Sequence, residues 1–135
     1  MRRTSVVAAA TLVVLGVLAP HAQSAKQAGT RRTELQRHDL GITGREVVQA
    51  RIELDPGVVF GKHWHPGEEI VYVLEGSLVY ELEGRQPIRV DAGGVLFIPR
   101  RTVHSAKNVG RVVGAELATY VVDKGKPLVV LVRGR

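Results

Sequence analysis

His63, His65 and Glu69 fall within seven residues, inside the stretch GVVFGKHWHPGEEIVYVLEG that runs from Gly57 to Gly76. Imidazole nitrogens with one carboxylate suit a divalent transition metal, whereas calcium and magnesium prefer all-oxygen shells. On a strand, the two-residue side-chain period would put both imidazoles on one face and the Trp64 indole on the other. Pro66-Gly67 then interrupts the strand. Proline removes a donor and glycine permits unusual backbone angles, so the chain can bend and bring Glu69 to the same centre. His104, beside a second proline-containing turn, is available as a third imidazole. On an octahedral ion, three imidazoles and a carboxylate leave two adjacent positions for substrate, water or dioxygen. These ligand types do not choose among Fe, Mn, Ni, Cu and Zn. The sequence shows no further acid–base pair in a recognisable motif, and nothing supports a Ser/His/Asp or cysteine mechanism. His38 has no role here, and Glu68 reads as a rim carboxylate.

The elements that must position these residues read as short strands. Val48, Ala50, Ile52 and Leu54 alternate with polar residues, the pattern of a half-buried strand that ends in the turn Asp55-Pro56-Gly57. Strands are expected over 70–74, 78–83, 88–90, 95–98, 103–107, 112–122 and 128–132, separated by Gly-, Pro-, Asn- and Asp-containing turns. Regular short strands with no convincing helix predict an all-β barrel or sandwich. With Glu69 pointing inward, Val71 and Val73 point inward too, while Ile70, Tyr72 and Leu74 point out. Both faces of that strand are apolar, so it should be covered on both sides, by an N-terminal strand or by a second copy of the chain. Tyr72, Tyr80 and Phe97 read as packing residues, Trp64 as facing away from the metal, and Asn108 as fixing a turn.

At the residue level this arrangement resembles the cupins. Their first motif is Gly, five residues, His-x-His, three or four residues, Glu, six residues and Gly, and it is matched by Gly57, His63, His65, Glu69 and Gly76. Their second is Gly, five residues, Pro-x-Gly, two residues, His, three residues and Asn, and it is matched by Gly93, Pro99, His104 and Asn108, with Arg101 where the family usually has glycine. The resemblance covers residues 45–122 and implies a double-stranded β-helix, a jelly-roll barrel with its metal inside, held by His63, His65, Glu69 and His104. It further implies one of two functions. One is a small quercetin-dioxygenase-like oxygenase or isomerase acting on a small oxygenated organic molecule. The other is a non-catalytic metal or small-ligand binding module of the cell envelope. Cupins are often dimers, and a homodimer is expected.

Residues 1–24 read as an export signal: Arg2 and Arg3 precede an apolar run from Val6 to Ala19, and Ala22-Gln23-Ser24 offers small residues for cleavage. That run is short for a membrane span, so a periplasmic or secreted protein with no span after cleavage is expected. Residues 25–44 form a lead-in with an edge strand in its second half, and 45–132 the cupin domain. The chain has no cysteine, so no disulfide can stabilise it. Without Arg2 and Arg3, 17 basic residues stand against 13 acidic ones, scattered rather than gathered into a stripe. That distribution, with few aromatics, argues against a nucleic-acid partner.

Overall fold

The alternation of apolar and polar residues resolves into ten strands in a computed structural model, which describes residues 27–132. They are β1 (Thr30–Asp39), β2 (Arg45–Leu54), β3 (Val59–Trp64), β4 (Gly67–Glu75), β5 (Ser77–Leu82), β6 (Ile88–Asp91), β7 (Val95–Ile98), β8 (His104–Asn108), β9 (Gly114–Asp123) and β10 (Val130–Leu131). Two antiparallel five-stranded sheets, in the orders β1-β2-β9-β4-β7 and β10-β3-β8-β5-β6, face each other as a jelly roll. No helix occurs among the described residues. The expected export signal lies outside them.

Inward-facing positions keep the two-residue period. On β4 Glu69, Val71 and Val73 are buried, and on β9 Glu116, Ala118, Tyr120 and Val122 are buried. Val71, Val73, Leu78, Leu82 and Ile98 pack one part of the interior, and Val48, Ala50, Ala118 and Val122 another. Burying such a side chain contributes about 1.5–3 kcal/mol. In a chain with no disulfide, this packing carries most of the stability.

Several strand limits depart from expectation, and three of them do so for a reason that lies elsewhere in the chain. The edge strand begins at Thr30, because Thr30 to Glu34 pair with Leu54 to Ala50 and Arg31 bonds Glu53 and Asp55. The final strand shrinks to Val130–Leu131, since the Leu128 carbonyl accepts from His65 instead of joining a ladder. The long strand starts at Gly114 rather than at residue 112, since the Val112 carbonyl accepts from the Asn108 amide. Asn108 is fully buried. It donates to Leu54 and Val112 and accepts from the Gly110 amide, so it fixes its turn and ties it to β2 as well.

The N-terminal strand does not cover the outer face of β4. It extends the sheet beyond β2, on the far side of β9. Ile70 faces Phe97 and Tyr72 faces Val95 across the β4–β7 ladder, and all four are exposed. Tyr72 and Phe97, both about half exposed, therefore stand on the outer face of this sheet and not in the barrel interior.

Candidate metal centre

Sheet register brings the site together. His63 on β3 pairs directly with His104 on β8, His65 follows the end of β3, and Glu69 stands on β4 of the opposite sheet. All four side chains are buried. The turn between β3 and β4 is held from two sides: the Arg101 amide donates to the His65 carbonyl and the Asp123 amide to the Pro66 carbonyl. Asp123 in turn receives Arg100 and Arg45, with the Arg100 guanidinium holding its carboxyl below the usual range. Gly67 opens β4 at a close approach to β9, where a Cβ would lie 2.0 Å from the Val121 carbonyl oxygen. Its backbone angle is not in the left-handed region, so lack of a side chain, not conformational freedom, is what the site needs.

Each imidazole is oriented by a backbone carbonyl. His63 Nδ1 lies 2.8 Å from the Gly61 oxygen, His65 Nδ1 2.7 Å from that of Leu128, and His104 Nδ1 2.9 Å from that of Thr102. A carbonyl only accepts, so Nδ1 carries the proton in all three and Nε2 presents a lone pair. One ligand nitrogen from each histidine lies within 4.8 Å of the others. Glu69 Oε2 is 3.1 Å from both His65 Nε2 and His104 Nε2. With the protons on Nδ1, these close contacts bring lone pairs face to face. His65 Nε2 and Glu69 Oε2 are accordingly buried without a hydrogen-bond partner. A cation between them removes the conflict, and the residues present fit a metal ion on that ground. Burial, helped by the charges of His104 and His65, pushes His63 down to about 3, so it stays neutral as a ligand must. Burial would raise Glu69, but His104 and His65 outweigh it and hold the carboxyl below its ordinary value.

The four residues open onto a cavity of about 480 Å³. Its wall is partly apolar, from Ile52, Leu54, Phe60 and Ala106, and the Phe60 and His63 rings meet nearly perpendicular with their centres 4.7 Å apart. Two polar residues on that wall went unforeseen in the sequence. Tyr80 is not a packing residue alone: its hydroxyl donates to Glu116 Oε2 in the barrel interior. Burial, with the charge of Glu69 adding to it, pushes the Glu116 carboxyl up to about 8, and burial also raises Tyr80. An acid–base pair is thus present that no motif announces. Its one sequence signal is parity, because Glu116 shares the inward-facing period of Ala118, Tyr120 and Val122.

The remaining expectations fall outside the cavity. Glu68 pairs with Arg45 at 2.6 Å, and His38 is exposed on β1. Trp64 stays on the other face of β3 from the histidines, with the Arg101 guanidinium 6.0 Å from its ring centre. Arg101 is the one non-glycine residue with positive φ among the described residues, at 58°. It occupies the position where glycine was expected, and the turn keeps the glycine conformation at a cost of about 1–2 kcal/mol. Arg101→Val, which puts a β-branched side chain there, should lower stability by about 2 kcal/mol. Arg101→Gly should stay within about 1 kcal/mol of the parent. Urea denaturation of both variants checks the pair.

Comparison with known proteins agrees with this geometry. The Cupin domain family profile matches residues 50–131. The chain is 39% identical over 87 residues to the Polyketide synthase CurC of Streptomyces cyaneus, covering 63% of this chain and 54% of that protein. It is 40% identical over 62 residues to the Oxalate-binding protein of Thermotoga maritima, covering 45% of this chain and 50% of that one. Among solved structures, an oxalate oxidase in complex with the substrate analogue glycolate superposes with a TM-score of 0.64 at 26% identity, covering 80% of this chain and 57% of that chain. The chain thus spans about half the length of these curated relatives.

Proposed function

The chain belongs to the cupin family, and from that premise we propose that His63, His65, Glu69 and His104 together hold one divalent transition metal ion, which serves an oxygenase or isomerase reaction on a small organic molecule. The observation that carries this reading is the pair of opposed lone pairs at His65 Nε2 and Glu69 Oε2. Bound there, the ion would supply Lewis-acid stabilisation of a developing oxyanion and, if redox-active, a site for dioxygen. The chain's own residues do the rest. The carbonyls of Gly61, Leu128 and Thr102 keep the imidazoles in one tautomer, the apolar wall limits water, and Glu116 with Tyr80 can hold or release a proton inside the cavity.

Elemental mass spectrometry of the protein purified without added metal tests the proposal. About one Fe, Mn, Ni, Cu or Zn per chain is the expected result, and absence of metal both before and after reconstitution would defeat it. A second reading, non-catalytic binding of a metal or small ligand in the cell envelope, draws support from the relative named for oxalate binding. Oxygen uptake or substrate turnover separates the two. Export to the periplasm or outside the cell is part of the same proposal, on the strength of the pattern in residues 1–24.

A homodimer through the outer face of β4 and β7 completes it. Ile70, Tyr72, Val95 and Phe97 are 46%, 44%, 70% and 53% exposed and lie in two directly paired rows. A contiguous apolar patch of this kind marks an association surface. Light scattering should give twice the chain mass, and Phe97→Asp should return the mass of one chain. A single-chain mass for the parent across the micromolar range would remove the dimer.

A further inference from the structure

Among the described residues, four buried side-chain atoms lack a hydrogen-bond partner: His65 Nε2, Glu69 Oε2, Thr30 Oγ1 and Arg32 Nε. All four residues stand on the wall of the same cavity. The first two atoms face the metal centre. The other two belong together on β1, two residues apart and hence on one face. Thr30 pairs with Leu54 and Arg32 with Ile52, both of which line the cavity, so the β1 pair faces inward as well.

A buried donor left unmade costs about 1–3 kcal/mol, and more when the group is charged. Among the described residues nothing offsets this at Arg32, and the one ion-pair contact found there is from Nη2 to Glu34, two residues along the same strand, at a long 3.4 Å. The edge of its guanidinium remains available for a planar anion, which Nε and Nη2 can grip with two parallel bonds. The Thr30 hydroxyl supplies a further donor beside it. These are the donors a carboxylate uses.

Sheet register sets how far this cluster stands from the metal centre. Arg32, Ile52, Glu116 and Val73 form one row across β1, β2, β9 and β4, and Glu69 is four residues from Val73 along β4. At the usual strand dimensions, the Arg32 and Glu69 backbones are about 13 Å apart along the strands and about 14 Å apart across them. Both side chains point into the cavity they line, and the length of the Arg32 side chain shortens the gap left for a ligand. Ile52, Leu54, Phe60 and Ala106 line the space between.

We propose that Arg32 and Thr30 form a carboxylate anchor, and that the cavity takes an organic acid whose carboxylate is separated by an apolar spacer of several carbons from the oxygen it presents to the metal centre. The proposal rests on the metal reading above. A two-carbon diacid is too short to reach both ends, so the ligand differs in length from those named for the similar proteins.

Titration calorimetry on the full chain loaded with Mn(II) tests this, with glutarate and oxalate as probes. Arg32→Gln should weaken glutarate at least tenfold and oxalate less than threefold. Thr30→Val should weaken glutarate by a smaller factor. Arg32→Lys, which keeps the charge but loses the fork, should fall between the parent and Arg32→Gln and guards against a folding defect in the latter. Equal affinity for glutarate in parent and Arg32→Gln, or an equal loss for the two acids, overturns the proposal. Metal stoichiometry measured on the same samples keeps the two readings apart. If the parent holds no metal, the metal reading fails. Arg32-dependent glutarate binding in that metal-free protein would still support the anchor, and its absence would overturn it.

Discussion

Replacing His104 with alanine is expected to reduce bound metal from about one ion per chain to less than a tenth, with affinity falling by at least three orders of magnitude. The reason is positional. His104 is the one candidate ligand contributed by β8, and it sits opposite His63 in the ladder and 3.1 Å from Glu69, so it links the two sheets at the metal. Removing it leaves His63 and His65 on one side of a widened gap. The fold should survive, because the backbone bonds of β8 to β3 and β5 do not need the imidazole. Circular dichroism should therefore remain that of a β-protein while elemental analysis shows the loss. Full metal retention by His104→Ala would rule out its assignment as a ligand.

Gly67→Ala is expected to be the most damaging single-methyl change, costing on the order of 3–5 kcal/mol. The added Cβ would lie 2.0 Å from the Val121 oxygen and 2.6 Å from the Val122 Cα, both backbone atoms that no rotamer change can move. Relief requires β4 to part from β9 at its first residue, two positions before Glu69. Metal affinity should drop with stability for that reason. Gly84→Ala is the control: its φ is 75°, but nothing lies within 4 Å of its Cβ position. Backbone strain alone should then cost about 1 kcal/mol. Thermal or urea unfolding of the two variants distinguishes a clash from a conformational penalty.

Much of the fold, and the meeting of His63, His65, Glu69 and His104 at one buried centre, was legible because it depends on local patterns. Alternation announced β2, β4 and β9, turn residues announced their ends, and His-x-His with a following acid announced one half of the site. What was not legible depends on partners distant in sequence. Tyr80 and Glu116 are 36 residues apart and meet only because β5 and β9 face each other across the barrel. Arg32 looked like part of a polar lead-in until its pairing with Ile52 turned it inward. Gly67 was read through its backbone freedom, while the constraint on it is the approach of Val121. The apolar outer face of β4 was visible in the alternation, but that β1 would extend the sheet instead of covering this face was not.

The carbonyls that orient the three imidazoles differ in one respect that bears on the order of assembly. Gly61 and Thr102 lie two residues from the histidines they hold, whereas Leu128 is 63 residues from His65. Two imidazoles are therefore aimed by their own strands as soon as β3 and β8 form. The third is aimed last, when the C-terminal segment docks beside β3. Long-range closure of this kind is slow relative to local pairing, since loop entropy must be overcome first. A chain cut before Leu128 would hold a loose two-imidazole site, and docking of the Leu128 carbonyl against His65 is what converts it to a tight one.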